Sequence, residues 1–348
     1  MTKTNTGNFF EDFTLGQEIR HATPRTITQG DASLYLALFG SRFAVYCAEP
    51  FAQELGYKTT PVDDLLAFHV VFGKTVPDIS LNAVANLGYA DCRFLQPVYA
   101  GDTVTTVSEV IGLKQNSNGK TGTVYVRSTG TNQNGETVID YVRWVMVRKG
   151  DPGAPAPDVV VPDLPNRVDP ASLVVAEALN GGNFDAVLAG SRHLWNDYVA
   201  GEKIDHVDGV TIEEAEHMTA TRLYQNTARV HFNQFSEKDG RFGRRLMYGG
   251  HVISLARAIS FNGLANAFSI AAINGGRHVA PCFAGDTVFA WSEVLEVADT
   301  VNPTIGALRL RTIATKDRPC ADFPAEVEKG YEEGVILDLD YWVLMPKR

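Results

Sequence analysis

"PVYAGDTVTTVSEV", residues 97–110, returns as "PCFAGDTVFAWSEV", residues 281–294, ungapped at an offset of 184 with nine of fourteen positions identical. A duplicated unit changes how every local motif is read, so this repeat comes first. The same offset lays Arg93 on Arg277, and an offset of 185 lays "EDFTLGQEI" (11–19) on "NDYVAGEKI" (196–204). The matched blocks keep their order. The chain therefore reads as two homologous domains, residues 1–148 and 172–348, joined by a linker over 149–171. In "RKGDPGAPAPDVVVPDLPNRVDP" (148–170), proline and glycine interrupt any regular element, as expected of a segment laid over a surface. A chain of 348 residues suits two domains of roughly 100–200 residues each.

Each copy follows one plan. After the repeated entry segment comes a polar-to-helical stretch, then an apolar helical segment, and then runs that alternate with period two. These runs are "DTVTTVSEVIGLKQ" (102–115), "GTVYVRSTGTN" (122–132) and "ETVIDYVRWVMV" (136–147), answered by "DTVFAWSEVLEVA" (286–298), "GALRLRTIATKD" (306–317) and "VILDLDYWVLM" (335–345). Alternation rich in Val, Thr and aromatics predicts strands with one buried face. The helices are expected over "VVFGKTVPDISLNAV" (70–84) and "GGHVISLARAISFNGL" (249–264). One long helix against an antiparallel sheet, an α+β unit, covers the sheet face that would otherwise be exposed.

Bulk properties narrow the function. With 45% hydrophobic and 21% charged residues and no run near the roughly 20 apolar residues of a membrane span, no membrane partner is expected. "MTKTNTGNFFEDF" lacks the apolar core of a secretory signal, and four cysteines without paired or metal-type spacing fit a reducing cytoplasm. A net charge of −10 repels polyanions, so nucleic acid is not an expected partner.

The plan, with P-x-x-A-G-D-T-V opening the sheet after the helix, resembles the MaoC-like dehydratases in their double-hotdog form. Their hydratase motif, G-D-x-N-P-x-H, is followed by a helix opening V-H-G-M. Here the matching residues are "QNTARVH" (225–231) and "MYGG" (247–250), which set Asn226 at the family's aspartate, His231 at its histidine and Gly249 at its glycine. In the first copy "GSRFAVY" (40–46) puts Ser41 and Tyr46 at the catalytic positions and Ala67 at the helix glycine, so that copy has lost the site. More closely, "GSRFAVYCAEPFAQELGY" and "DDLLAFHVVFGKTVPDISLNAVANLGYADCRF" resemble the mesaconyl-CoA hydratases, or β-methylmalyl-CoA dehydratases, of the ethylmalonyl-CoA pathway. The resemblance implies a tandem hotdog and reversible hydration of mesaconyl-C1-CoA without metal or redox cofactor. It also implies an acyl-CoA as the partner and a homo-oligomer, a dimer or higher, as the assembled form.

Hydration of an α,β-unsaturated thioester needs a base for water, a proton for the α-carbon and donors for the enolate oxygen. His231 suits the first role, since imidazole exchanges protons near neutrality; the bland reading is a loop histidine satisfied by hydrogen bonds. Asn226 cannot accept a proton but can orient water through its amide. Either His231 works alone or a carboxylate comes from elsewhere, with Asp31 and the repeat-equivalent Glu216 as candidates. Gly249 at the helix N-terminus offers unpaired N–H groups to the thioester oxygen, and Tyr46, Tyr248 and Gly250 are expected beside substrate. For the substrate carboxylate the candidates are Arg229, which shares a face with His231 if the segment is extended, and Arg42. Arg244 and Arg245, in "RFGRR" (241–245), are candidates for coenzyme A phosphates. His69 and His251 look like matched packing positions, and His217 and His278 carry no motif. Two rival readings remain open: a hotdog thioesterase, which needs a carboxylate near the helix start that "LMYGGHV" does not contain, and a non-catalytic acyl-CoA binding module.

Overall fold

The repeat in the sequence becomes a repeat of elements in the computed structural model, which describes residues 3–348. The first copy runs β1 (Glu18–Thr26), α1 (Gln29–Phe39), α2 (Ala44–Cys47), α3 (Glu49–Leu55), α4 (Asp64–Thr75), β2 (Ala83–Phe94), β3 (Thr103–Gln115), β4 (Thr121–Thr131) and β5 (Thr137–Arg148). The second runs β6 (Lys203–Thr211), α5 (Glu214–Leu223), α6 (Arg229–Phe232), α7 (Gln234–Glu237), α8 (Gly249–Ile259), α9 (Phe261–Leu264), β7 (Ser269–His278), β8 (Thr287–Asp299), β9 (Ile305–Lys316), a small hairpin β10 (Glu326–Val327) and β11 (Gly330–Tyr331), and β12 (Val335–Pro346).

Ten strands form one antiparallel sheet in the order β1-β3-β4-β5-β2-β7-β12-β9-β8-β6. The order reads the same from both ends once each strand is replaced by its repeat partner, so β2 and β7 meet at a pseudo-twofold axis, with Cys92 opposite Ile273. Two hotdogs thus share one sheet, with α4 and α8 buried in its concavity. Period-two burial in β3, where Val104, Thr106, Ser108 and Val110 face inward, is what binds sheet to helix. The apolar residues of α4 and α8 belong to a single core with those inner faces.

Backbone bonds fix the correspondence of the copies. Val62 N–H donates to Val98 at 2.7 Å as Met247 N–H donates to Cys282 at 3.0 Å, and Ile27 to Asp102 at 2.9 Å as Ile212 to Asp286 at 3.0 Å. Three expectations change. The first helix begins at Asp64, six residues before the expected start, because the Asp63 side chain caps the Leu65 N–H at 3.0 Å. The counterpart of Gly249 is therefore Asp64 and not Ala67, and His69 pairs with Ser254 instead of His251. His69 Nε2 in fact lies 2.8 Å from the Ser254 hydroxyl, a bond between counterpart positions across the axis. Finally, irregular chain continues past the expected linker to the 3-10 turn Trp195–Asp197, the counterpart of Phe10–Asp12. It is more than a surface strap, since Val168, Leu173, Leu179 and Ala189 are buried in a second core.

Candidate active site

The residues that match the hydratase motif occupy a sharp loop after α5. Gln225 adopts φ 53, which turns the chain, and Asn226 Oδ1 then accepts the Ala228 N–H at 3.0 Å. This side-chain turn launches α6, on which His231 lies. Asn226 keeps its NH2 group as a donor and the second lone pair of Oδ1 as an acceptor, so the turn does not remove the two-way hold on water that its residue type allows. Asn226 is itself buried and borders a cavity of about 540 Å³ between the halves, lined also by Thr23, Gly73, Lys74, Thr227 and Phe232.

His231 Nδ1 lies 2.9 Å from the Leu246 carbonyl, which can only accept, so Nδ1 carries the proton and Nε2 the lone pair. Burial pushes the imidazole pKa down to about 4, against the upward pull of that backbone bond. The ring is neutral near pH 7. It packs edge-on to Tyr248, with ring centroids 5.6 Å apart.

Tyr248 caps α8, and Gly249 is the first helical residue. The Tyr248 N–H donates to His217 Nε2 at 2.9 Å, whereas among the described residues no acceptor meets the Gly249 N–H. That amide and the positive end of the helix dipole are left for an incoming oxygen. Glycine is required here because a Cβ would come 2.3 Å from His278 Cε1. His278 Nε2 lies 3.2 Å from the Tyr89 hydroxyl.

The first copy displays the same geometry already filled. At the counterparts of His231 and Gly249 stand Tyr46 and Asp64, and the Tyr46 hydroxyl donates to Asp64 Oδ2 at 2.6 Å. The Ile270 N–H, at 2.7 Å, and the Ser269 hydroxyl, at 2.9 Å, donate to the same oxygen. A carboxylate of the chain therefore sits where an acyl oxygen could sit in the second copy. Asn86, opposite Val145 in the sheet as Ile270 is opposite Val343, is the counterpart of Ile270. Its carboxamide nitrogen and oxygen are buried, with neither Nδ2 nor Oδ1 partnered among the described residues.

Several expected contacts are relocated. Arg229 and His231 lie on a helical turn, where residues two apart point to opposite sides; Arg229 is exposed. Arg42 stacks on Phe261 of α9 at 4.5 Å. Asp31 caps α1 and accepts from Thr28 N, Thr28 Oγ1 and Arg25 Nη2, each at 2.8 Å, so both its oxygens are already engaged. Glu216 lies exposed in the first turn of α5. Arg245 is ion-paired with Glu214, and Arg244 lies exposed over Phe283 at 3.9 Å. A Cβ on Gly250 would strike Tyr248 and His69, so this glycine serves packing and does not face a ligand. Sequence reasoning passed over His217, His278, Lys74 and Asp64. The Asp63–Asp64 pair just before an apolar helix was the available signal for the last.

Known proteins resemble this chain over nearly its whole length. The family model described as mesaconyl-CoA hydratase matches residues 1–322. The chain is 66% identical over 348 residues to the β-methylmalyl-CoA dehydratase of Chloroflexus aurantiacus, covering 99% of each. It is 59% identical over 346 residues to the mesaconyl-CoA hydratase of Cereibacter sphaeroides, covering 99% of this chain and 100% of that one. A crystal structure described as a MaoC domain dehydratase from Chloroflexus aurantiacus matches with a TM-score of 0.98 at 65% identity over the whole of both chains. A Mycobacterium tuberculosis protein with a double hotdog fold matches with a TM-score of 0.73 at 24% identity over 98% of both chains, a likeness of fold alone.

Proposed function

Because the chain belongs to the mesaconyl-CoA hydratase family, we propose that its C-terminal half catalyses the reversible addition of water to mesaconyl-C1-CoA, giving β-methylmalyl-CoA. The observation that carries this reading is a neutral His231 whose Nε2 lone pair is free because Nδ1 is held by Leu246. In hydration, Nε2 takes one proton from water as the oxygen bonds to the β-carbon. The π electrons move toward the thioester oxygen, which the Gly249 N–H receives at the helix N-terminus. The imidazolium then returns its proton to the α-carbon, and the enolate charge collapses. Water is consumed, nothing is oxidised or reduced, and His231 ends neutral; no metal or redox cofactor is called for. Asn226, an amide, binds and orients but moves no proton.

The partner is an acyl-CoA, and the assembled form is taken to be a homo-oligomer. The thioesterase alternative gains one observation, since a carboxylate does stand at a helix start in the first copy. Its Oδ2 already accepts from Tyr46, Ser269 and Ile270, which leaves it poorly placed to activate water.

The test is an ultraviolet assay of the purified protein with mesaconyl-C1-CoA, with mass spectrometry of the products. Gain of one water by the intact thioester supports the reading. Release of free coenzyme A, or no reaction, contradicts it.

A further inference from the structure

The cavity beside Asn226 holds a buried cation that no acid among the described residues answers. Lys74, on the last turn of α4, is 3% exposed and borders the cavity. Its ammonium reaches two neutral oxygens, Thr23 Oγ1 at 3.2 Å and Gln225 Oε1. Among the described residues it enters no ion pair, whereas its neighbour Arg25 is matched by Asp31 at 2.8 Å. Burial, with a smaller push from Arg25, lowers the Lys74 pKa, the response of an ammonium that lacks an anion. Removing a charge from water is costly unless an opposite charge meets it. The helix itself does not ask for this charge, because the counterpart of Lys74 on α8 is the buried Ile259. The lysine breaks the repeat on the side that faces the motif-bearing loop.

The same cavity is bordered by Asn226, whose Oδ1 accepts from Ala228 and whose NH2 meets no acceptor among the described residues. Met218, Pro77 and Phe232 supply apolar wall, and Phe232 directly follows His231 in the chain. Two donors, one of them charged, therefore border one cavity, whose wall includes the residue that follows the proposed base. In mesaconyl-C1-CoA the free carboxylate is bonded to the very carbon that receives hydroxide, so its binding group must lie beside the residue that activates water. We propose that Lys74 anchors the free carboxylate of the substrate, with the Asn226 amide as second donor, so that the N-terminal half supplies the specificity of a reaction performed in the C-terminal half. The inference rests on the functional reading above, because it assigns that carboxylate to a dicarboxylic acyl-CoA. A second buried cation, Arg143, lies over Phe72 at 4.3 Å and does not border this cavity.

A coenzyme A phosphate is the other anion such a cation could take, and the comparison ligand separates the two. Tiglyl-CoA keeps coenzyme A and the α-methyl group and carries a methyl where mesaconyl-C1-CoA carries its carboxylate. Binding of both is measured by calorimetry on full-length protein in a His231→Ala background, which stops turnover, with and without Lys74→Met or Lys74→Arg. Lys74→Met should weaken mesaconyl-C1-CoA about a hundredfold, the scale of truncating one partner of a buried charge pair, while changing tiglyl-CoA by less than about threefold. Lys74→Arg should recover part of the loss. Equal weakening of both ligands, which indicates a phosphate contact or a damaged fold, overturns the proposal, as does no change for mesaconyl-C1-CoA. If the protein with His231 intact fails to hydrate mesaconyl-C1-CoA, the functional reading falls, while the binding comparison still decides whether Lys74 distinguishes the carboxylate.

Discussion

Tyr46 donates its hydroxyl to Asp64 at 2.6 Å, and these two residues occupy in the first hotdog the positions that His231 and Gly249 occupy in the second. One half has filled its helix N-terminus with its own carboxylate, and the other has left it open. Tyr46→Phe should therefore act on stability and not on chemistry. A lost hydrogen bond to a buried carboxyl group costs about 1.5–3 kcal/mol if the group is ionised, so the urea midpoint should fall while kcat changes little. Denaturation curves and steady-state rates on the same preparation check both.

Gly249 and His278 are in such close contact that no side chain fits between them. Gly249→Ala should displace the helix start or the histidine, and misplacing one oxyanion donor costs on the order of a hundredfold in kcat. His278→Ala added to Gly249→Ala makes room for the methyl group. The double variant is thus expected to be faster than Gly249→Ala alone, and a rate equal to or below the single variant's counts against steric displacement.

Acid should destabilise the fold early. Burial lowers the pKa of His69, His206, His217, His231, His251 and His278 to values between about 2 and 4. As pH falls below about 6.5, the unfolded chain takes protons at these sites that the folded chain refuses, so stability drops with falling pH. Each site contributes at most about 1.4 kcal/mol per pH unit until its folded pKa is reached. Asp63, raised to about 7 by burial and then by Asp64, and Asp64, raised by burial, act in the opposite sense above their unfolded values, and they are two groups against six. Unfolding midpoints at pH 7.5, 6.5, 5.5 and 5.0 (roughly spanning the window set by the unperturbed histidine pKa) should be level above about 6.5 and fall steeply below it. A flat profile across that window contradicts the buried neutral histidines.

Asn226→Asp tests why an amide stands at this position. Its oxygen already serves Ala228, so the exchange replaces a donor facing the cavity with an acceptor that carries charge. Two anions about 4 Å apart at an effective dielectric of 20 repel by about 4 kcal/mol before screening and relaxation. The substitution should weaken binding of mesaconyl-C1-CoA and spare crotonyl-CoA, which has no free carboxylate. Steady-state constants for both substrates decide this, and equal losses on both remove the electrostatic reason for the asparagine.

The duplicated architecture was legible because the repeat near residues 97 and 281 is ungapped and because outer strands such as β3 alternate cleanly between core and solvent. The two central strands were harder to see. β7 begins with six consecutive buried residues, and register shifts in β2 at Asn86/Gly88 and Ala90/Arg93 break the alternation that marks a strand. Helix α4 was placed too far along because Asp63 and Asp64, a cap and a half-buried carboxyl group, look like loop residues until their donors are known. At the site, Asn226, His231 and Gly249 follow from motif spacing. Lys74 lies far from them in the chain and is brought to the cavity by the pairing of the halves, whereas His278 ends β7 of the same half and meets Gly249 through the folding of that half. Arg229 was misjudged for a local reason, a single helical turn in place of an extended segment.

The central claim is that one imidazole, in one half, moves the protons of hydration. Its most direct test is kcat for mesaconyl-C1-CoA in His231→Ala, with the fold checked by circular dichroism. A fall of at least about a hundredfold is expected, the low end for loss of general acid–base help. Turnover within a few-fold of the unaltered protein would contradict the account.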